Sequence, residues 1–437
     1  MLTTIKKYLP APFKRALLPV KQKTVDNWYK TWLFYKMCKK HQHLLAQIKD
    51  KKCIRVVFLA IHKSVWKVDP VFKKMLAHQH FDPVVLICPF TASSEERMWN
   101  EMHQALEYFK AKEYPVVSSF NHDKGEWLKL EELNPDIVFF TNPHNLTRKE
   151  YYEDAYLNYL SCYIPYHHEV VSYGSNIDQY NQNFHNAMWK IFASHKASYE
   201  LFLNYSVSKG MNVIVTGYPA METILEKMEK NTYNYVWKSK DSRIKIIWAP
   251  HHTIDMPELP FSNFLEYSDN FRRLAEEYKS RIVWAFKPHP LLREKLYKHI
   301  SWGKKRTDEY YEFWNSNEYT QLEEGEYEDL FCSSNALIHD SGSFLAEYLY
   351  LKKPVAYMMA KKNNQNYFTD FGLKALSSCV VINDFIGVVN FVDNLILDKY
   401  HIINKHKEFI QEEISIYFHD SCPSSVILDT LNKTLNP

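Results

Sequence analysis

The sequence predicts an α/β protein of two successive domains, each built on a mostly parallel β-sheet with helices on both faces. Short, continuous apolar runs alternate with helical patterns along most of the chain, which is typical of parallel strands that are buried on both faces. A polar segment at residues 228–242 interrupts this alternation near the middle, where we expect the interdomain linker. With 437 residues, the chain is long enough for two cores of ordinary size.

The N-terminal segment, residues 1–45, is predicted to be a basic and aromatic arm. It contains ten lysines and arginines, and its aromatic residues include Trp28, Trp32 and Tyr35. A basic helix with aromatic residues is suited to an anionic membrane surface, and we expect this arm to hold the protein at the inner face of the cell membrane. A solvated helix packed on the first domain is the alternative interpretation.

Residues 46–235 are predicted to form the first α/β domain. Apolar runs of strand length alternate there with amphipathic segments. The strands are expected at residues 53–60, 84–88, 115–117, 136–140, 163–166 and 213–219, and the helices near residues 70–78, 94–110 and 127–133.

Residues 243–404 repeat the alternation and are predicted to form the second α/β domain. Residues 405–437 have a helical pattern and are expected to pack back on the first domain. Two such domains with a cleft between them form the arrangement called GT-B. In the second domain the strands are expected at residues 244–249, 282–286, 336–338, 355–357 and 380–382, and the helices near residues 263–279, 327–332 and 344–351.

Composition and charge exclude several classes of protein. The formal net charge is only +3 and no long basic run occurs, so nucleic acid is not an expected partner. The seven cysteines lack a CxxC pair, which favours reduced thiols and a cytoplasmic location. No apolar run reaches the ~18 residues that a membrane-spanning helix needs, and no apolar segment typical of a signal peptide follows the N-terminal lysines.

The residues that follow the predicted strand at 336–338 have the pattern of a phosphate site. Asp340, Ser341, Gly342 and Ser343 form a turn that would leave backbone N–H groups at the start of a helix, where anions bind. Glu347 lies one helical turn beyond Ser343 and would accept hydrogen bonds from ribose hydroxyls. The turn therefore predicts a nucleotide-donor site, although a capped helix in any α/β protein has a similar pattern.

Other polar residues follow three strands of the second domain. Ligands of open α/β sheets bind at the carboxyl ends of strands, so these side chains are expected at one edge of the sheet. Imidazoles and an ammonium there would donate to a diphosphate and offset its charge without a metal ion. A metal site is not predicted, because adjacent histidines point in different directions and no ligand spacing accompanies them. The residues are His251, His252, Lys287, His289, Pro290 and His339.

Two histidines of the first domain are candidates for the acceptor side of a reaction. His167 and His168 follow the predicted strand at 163–166, and an imidazole near neutral pH suits a base that takes a proton from a hydroxyl. His62, Lys63 and Trp66 follow the first strand and are expected to face the same cleft. A serine hydrolase is excluded, because the turn at 340–343 lacks the Gly-x-Ser-x-Gly motif.

Four ordered motifs give the chain a resemblance to a known family. Over roughly residues 54–400 it resembles the CDP-glycerol glycerophosphotransferases, which build teichoic acids and related capsule polymers. The motifs are Thr216-Gly217-Tyr218-Pro219, Trp248-Ala249-Pro250-His251-His252, Lys287-Pro288-His289-Pro290, and Asp340-Ser341-Gly342-Ser343 leading to Lys353-Pro354-Val355.

The resemblance implies a donor domain and an acceptor domain. The second domain would bind a CDP-alditol, with His289 and the 340–343 turn near the diphosphate and Glu347 near the ribose. The first domain would hold the acceptor, with His168 as the match to the family's catalytic histidine. The chain departs from the family where residues 166–169 stand in place of His-Gly-Thr-Pro-Leu-Lys, and where Glu347 replaces the usual Asp.

The leading hypothesis is therefore transfer of glycerol phosphate or ribitol phosphate from a CDP carrier to a saccharide or polymer hydroxyl, without a metal cofactor. One alternative is a GT-B glycosyltransferase with a CMP- or UDP-sugar donor, similar to bacterial sialyltransferases or nucleotide-sugar epimerases. A second alternative is a non-catalytic, membrane-associated assembly protein that retains a nucleotide site.

Overall fold

A computed structural model describes residues 11–172, 176–359 and 364–435, so the first ten residues of the predicted arm lie outside the described residues. The chain divides into two compact units. The first comprises Met1–Tyr166, Ser175–Val215 and Ile427–Pro437, and the second comprises His167–Gly174 and Thr216–Val426. Each unit is built on its own parallel sheet.

The first unit contains a seven-stranded parallel sheet in the order β3-β2-β1-β6-β7-β8-β9. The interior strand β1 is apolar apart from Arg55 and is nearly all buried, as expected for a strand covered on both faces. A short antiparallel hairpin, β4-β5, accompanies the sheet. The strands are β1 Ile54–Ala60, β2 Phe81–Ile87, β3 Val116–Ser118, β4 Phe120–Asn121, β5 Glu126–Trp127, β6 Ile137–Phe140, β7 Leu160–Tyr163, β8 Lys190–Ala193 and β9 Val213–Val215.

Seven α-helices and three 3₁₀ turns belong to the described part of this unit. The α-helices are α1 Ala11–Ile48, α2 Asp69–Leu76, α3 Glu95–Ala111, α4 Glu153–Asn158, α5 Asn176–Tyr180, α6 Asn183–Ala187 and α7 Lys196–Tyr205. The 3₁₀ turns are Lys63–Val65, Leu130–Leu133 and Lys149–Tyr151.

The prediction of a helix at residues 127–133 is wrong. Trp127 instead pairs with Phe120 in the β4-β5 hairpin, and its ring stacks on Trp99 at a centroid distance of 5.7 Å. Only Leu130–Leu133 is helical, as a 3₁₀ turn that ends at Asn134 in the left-handed region. Aromatic packing against α3 therefore overrides the local helical pattern.

The second unit contains a six-stranded parallel sheet in the order β12-β11-β10-β13-β14-β15. Its core is rich in large aromatic residues, and Trp248 of β10 stacks on Phe271 at 4.0 Å. The strands are β10 Ile244–Ala249, β11 Ile282–Phe286, β12 Thr320–Leu322, β13 Ala336–His339, β14 Val355–Met358 and β15 Val380–Ile382.

α-Helices alternate with the strands of this sheet along the chain. They are α8 Ala220–Lys230, α9 Phe264–Glu277, α10 Leu292–Lys298, α11 Gly303–Ser316, α12 Glu328–Ser333, α13 Gly342–Glu347, α14 Asp370–Ser377, α15 Phe385–Ile396 and α16 Asn404–Phe409. The helix predicted at residues 344–351 is shorter than expected, because α13 changes to a 3₁₀ helix at Tyr348–Leu351. Further 3₁₀ turns lie at Asn364–Tyr367 and Ser415–Tyr417, with a π-helical turn at Ile410–Ile414.

The last helix, α17 Pro423–Leu435, begins in the second unit, and its residues from Ile427 onward belong to the first. Ile427 and Leu431 are fully buried in the core of the first unit. Among the described residues, no helix is both long enough and apolar enough to span a membrane.

The sheet order of the second unit positions the site. Strand β10 pairs with β11 on one side and with β13 on the other, all in parallel. Their carboxyl ends therefore lie side by side, and the segments that follow them meet at one edge of the sheet. The prediction of two parallel-sheet α/β domains is confirmed.

Candidate functional site

Three histidines form a cluster at this edge of the second sheet. His251 and His252 follow β10, and His289 follows β11. The ring centroids of His251 and His252 are 4.4 Å apart, and the ring of His289 lies 5.2 Å from the first and 4.1 Å from the second. One ring nitrogen from each residue lies within 4.8 Å of the others, and all three side chains are half-buried.

The Nδ1 atom of each ring already has a hydrogen-bond partner. In His252 it lies 2.9 Å from Nζ of Lys295, and in His289 it accepts from the backbone N–H of Leu291 at 3.1 Å. An ammonium and a backbone amide can only donate, so Nδ1 of these two rings carries the lone pair. The proton of each neutral ring is therefore on Nε2. In His251, Nδ1 bonds with the Thr253 hydroxyl at 3.0 Å.

This arrangement of protons suits an anion better than a metal ion. A histidine that binds a metal normally donates its other ring N–H to an acceptor. In His252 and His289 the other ring nitrogen is itself the acceptor, and Nε2 carries a proton that would have to leave first. Two Nε2–H donors in one half-buried cluster can instead bind phosphate oxygens.

The histidines of the cluster are neutral near pH 7. Burial lowers the pKa of His252 to about 4 and that of His289 to about 3, and it lowers the pKa of His251 well below the usual value. Neighbouring histidines and Lys295 add to the effect, because each positive charge disfavours another. The cluster therefore offers neutral donors rather than three positive charges.

Asp340 fixes the loop that carries His251. Its carboxylate accepts the backbone N–H of His251 at 2.5 Å and the backbone N–H of Asn263 at 2.6 Å, and it also accepts from Nδ2 of Asn263 at 3.2 Å. Burial raises the pKa of Asp340 to about 6, and these hydrogen bonds oppose the rise. Asp340 thus orients His251. Asn263 was not singled out from the sequence, where it resembles an ordinary helix cap.

The turn before α13 is tightly packed. His339 is fully buried, and its Nδ1 accepts the backbone N–H of Ser341 at 3.2 Å, so it orders the turn. Burial lowers the pKa of His339 to about 3. A Cβ added at Gly342 would lie 2.8 Å from a methyl group of Val171, so close packing requires glycine there. Ser341 is buried and Ser343 is exposed.

Glu347 and Lys287 are engaged with other parts of the second unit. Glu347 is 1% exposed and accepts a hydrogen bond from the Tyr327 hydroxyl at 2.5 Å. Lys287 is buried, and its ammonium donates to the carbonyl of Gly325 at 2.6 Å, which braces the segment after β12. Pro290 is exposed beside His289. The predicted ribose-binding carboxylate is therefore buried and paired with Tyr327.

The two histidines of the 167–172 segment have different environments. His168 is 2% exposed, and its ring lies 4.5 Å from Tyr218 and 5.4 Å from Phe371, with Nε2 3.1 Å from the Tyr350 hydroxyl. Burial lowers the pKa of His168 to about 3. His167 is half-buried, and its Nδ1 donates to the backbone carbonyl of His168 at 2.8 Å. Because a carbonyl only accepts, neutral His167 carries its lone pair on Nε2.

The 167–172 segment belongs to the second unit, whereas the sequence analysis placed it in the first domain. Val171 forms an antiparallel bridge with Phe368, and the backbone N–H of Thr369 donates to the carbonyl of Val170 at 3.1 Å. A Cβ at Gly372 would lie only 2.0 Å from that carbonyl oxygen. These contacts link residues about 200 positions apart, and no local sequence signal could have revealed them.

The predicted acceptor-side residues of the first unit have mainly structural contacts. Trp66 is buried in the core, where its ring packs on Phe58 and its Nε1–H donates to Asp69 at 2.9 Å. His62 lies 3.4 Å from a carboxylate oxygen of Glu101. Lys63 is exposed.

Comparison with protein families identifies the central part of the chain. Residues 165–373 match the family model described as CDP-glycerol:poly(glycerophosphate) glycerophosphotransferase. This part of the chain resembles that family. The matched region contains the histidine cluster, the 340–343 turn and the 167–172 segment, and it confirms the family that the sequence motifs indicate. Comparison with curated proteins gave no match.

Comparison with solved structures shows the fold of the chain. The wall teichoic acid polymerase TagF matches with a TM-score of 0.60 and 13% identity, over 97% of each chain. MnaA of S. aureus, solved with UDP, matches with a TM-score of 0.57 and 16% identity, over 88% of this chain and 97% of that one. The UDP-GlcNAc 2-epimerase of Neisseria meningitidis matches with a TM-score of 0.51 and 17% identity, over 87% of this chain and 99% of that one. At these identities the likeness confirms the GT-B type of fold.

Proposed function

We propose that the enzyme transfers glycerol phosphate or ribitol phosphate from a CDP-alditol to a hydroxyl group of a cell-surface polymer. The observation that carries this proposal is the cluster of His251, His252 and His289, in which two neutral Nε2–H donors and a nearby lysine suit a diphosphate. The match to the glycerophosphotransferase family supports the CDP-linked donor.

In the proposed reaction the acceptor hydroxyl oxygen attacks the phosphorus atom that carries the alditol. A new oxygen–phosphorus bond forms, the bond to the bridging oxygen of the diphosphate breaks, and CMP leaves with its added negative charge. Donors fixed before the reaction stabilise this charge without a metal ion, because they need no reorganisation when it develops. His252 and His289 are the donors that this proposal assigns to the leaving phosphate.

We assign the removal of the acceptor proton to His167 rather than to His168. A general base needs a lone pair that a hydroxyl can reach. The hydrogen bond from Nδ1 of His167 to a carbonyl places the lone pair of the neutral ring on Nε2, and the side chain is half-buried rather than enclosed. His168 is enclosed by aromatic rings and bonds with Tyr350. Its proposed role is to hold the 167–172 segment in place.

Calorimetric titration of the purified protein with CDP, CMP, UDP and GDP in a chelator tests the donor. We expect selective binding of CDP that the chelator does not weaken, because the donor groups are protein N–H groups. Preference for CMP would favour a sialyltransferase-like enzyme, and preference for UDP a sugar transferase or an epimerase. Absence of nucleotide binding would contradict the proposal.

We further propose that α1 binds the inner face of the cell membrane. Trp28, Trp32, Tyr35 and Lys39 are spaced to share one helix face, and all four side chains are exposed. Nζ of Lys36 lies 4.8 Å from the centre of the Trp32 ring. Exposed aromatic rings beside lysines match the chemistry of an anionic headgroup region.

Vesicle sedimentation tests the membrane proposal. The triple variant Trp28→Ala, Trp32→Ala, Tyr35→Ala is expected to lose most of its binding to vesicles with anionic lipid. The matched control is Ile386→Ala, which removes an apolar side chain that is 70% exposed on the second unit, and it should bind as the wild type does. Equal sedimentation of the triple variant and the wild type would contradict the membrane role.

A further inference from the structure

Lys295 of α10 lies beside the histidine cluster, and the sequence motifs give no indication of it. Its half-buried side chain extends toward the loop after β10, where Nζ lies 2.9 Å from Nδ1 of His252 and 3.3 Å from Sδ of Met256. In the part of the chain that the structure describes, no carboxylate lies within ion-pair distance of Lys295, whose neighbours are an imidazole and a thioether. This environment therefore needs an explanation beyond a surface ion pair.

We propose that Lys295 is a positioning residue for the donor diphosphate, because its ammonium holds the ring of His252 in the form that donates through Nε2. The inference rests on the proposed function, in which that ring binds a phosphate oxygen. As a donor, the ammonium requires the lone pair of His252 on Nδ1 and so leaves the ring proton on Nε2. Without Lys295 the ring of His252 would be able to adopt the other tautomer or turn over.

The charge of Lys295 also acts on the protonation of the cluster. It lowers the pKa of His251, His252 and His289, in each case as a smaller cause than burial. Burial keeps the cluster neutral, and Lys295 adds to this effect while it supplies one positive charge. A diphosphate would meet neutral N–H donors next to a single ammonium.

Other charged groups near Lys295 modify this effect. Asp255 raises the pKa of Lys295, against the larger lowering by burial, and it also pairs with His299 at 3.4 Å. Lys287 adds to the lowering of the pKa of His289. On α10 itself, Lys298 pairs with Glu294 at 2.6 Å.

The first test measures the histidine ring directly, without any nucleotide. Nitrogen-15 NMR of histidine-labelled protein distinguishes Nδ1–H from Nε2–H tautomers and follows each ring through a pH titration. In Lys295→Met we expect His252 to lose its fixed Nε2–H tautomer and the cluster histidines to take up protons at a higher pH than in the wild type. Lys295→Arg, which keeps the charge and a donor, should largely preserve both properties.

The second test measures donor binding. We expect Lys295→Met to weaken CDP binding about 10- to 100-fold, the size typical of a charge-assisted hydrogen bond and its orienting effect. Lys295→Arg should recover most of the affinity. The matched control is Lys298→Met, which lies one helical turn nearer the end of α10 and loses only its ion pair with the exposed Glu294. This variant should leave both the NMR signals and the CDP affinity unchanged.

The two tests separate the possible failures. An unchanged His252 tautomer and unchanged CDP affinity in Lys295→Met would overturn the role of Lys295. If the wild type bound no CDP but the tautomer of His252 changed in Lys295→Met, the proposed function would be overturned. Lys295 would then be supported only as the residue that orients His252. If Lys295→Arg keeps the melting temperature of the wild type, the site of this variant is folded and the two proteins can be compared.

Discussion

Replacing His167 by asparagine is expected to lower the rate of alditol phosphate transfer about 10²- to 10⁴-fold, the range in which a general base usually contributes. Asparagine keeps a side chain that can donate to the carbonyl of His168, so the 167–172 segment should keep its structure. CDP binding should be little affected, because His167 is not part of the histidine cluster. Steady-state kinetics with a CDP-alditol and calorimetry with CDP measure the two properties separately.

His168→Asn is the comparison that decides between the two neighbouring histidines. This change removes a ring that packs between Tyr218 and Phe371, so we expect a lower melting temperature with substantial transfer activity in the folded fraction. If instead folded His168→Asn lost all transfer while His167→Asn remained active, the assignment of the base to His167 would be wrong.

Replacing His289 by asparagine is expected to lower the rate of transfer about 10²- to 10³-fold, the usual cost of removing one donor that faces developing charge. His289 is held by its hydrogen bond with the backbone of Leu291, and its ring lies 4.1 Å from that of His252, so it can share a phosphate group with that residue. Unlike His167→Asn, this variant should also bind CDP more weakly. The difference between the two variants separates the donor side from the acceptor side.

The matched control for His289→Asn is His401→Asn, which alters an exposed histidine of the same unit. It should leave both the rate of transfer and the affinity for CDP at their wild-type values. Equal effects of the two changes, or a His289→Asn enzyme with unaltered kinetics, would remove the histidine cluster from the proposed mechanism.

The positions of the strand-end histidines could be predicted from the sequence, because continuous apolar runs mark the buried strands β10, β11 and β13. Parallel strands bring their carboxyl ends to one edge, which places His251 and His289 near each other. The same reasoning could not separate half-buried His289 from fully buried His339. That difference depends on packing from segments that are distant in the chain.

The protonation and orientation of the site were equally inaccessible from sequence. Lys295, Asn263 and Tyr327 are ordinary residues in the linear pattern, and only the fold places them against His252, Asp340 and Glu347. The wrong prediction of a helix at residues 127–133 has a similar origin, because the contacts of Trp127 with other aromatic residues determine the structure of that segment. Sequence patterns thus located the groups that the proposed function uses, and long-range contacts determined the environment of each group.

The pairing of Val171 with Phe368 has a consequence for dividing or recombining this chain. A fragment that starts at the predicted linker would lack residues 167–172, so Gly342 and Gly372 would lose the neighbours to which they are fitted. Such a fragment would also lack His167. A chimaera that exchanges the second unit between relatives would therefore have to transplant two separate pieces of chain, the short 167–172 stretch together with the long one that begins at Thr216.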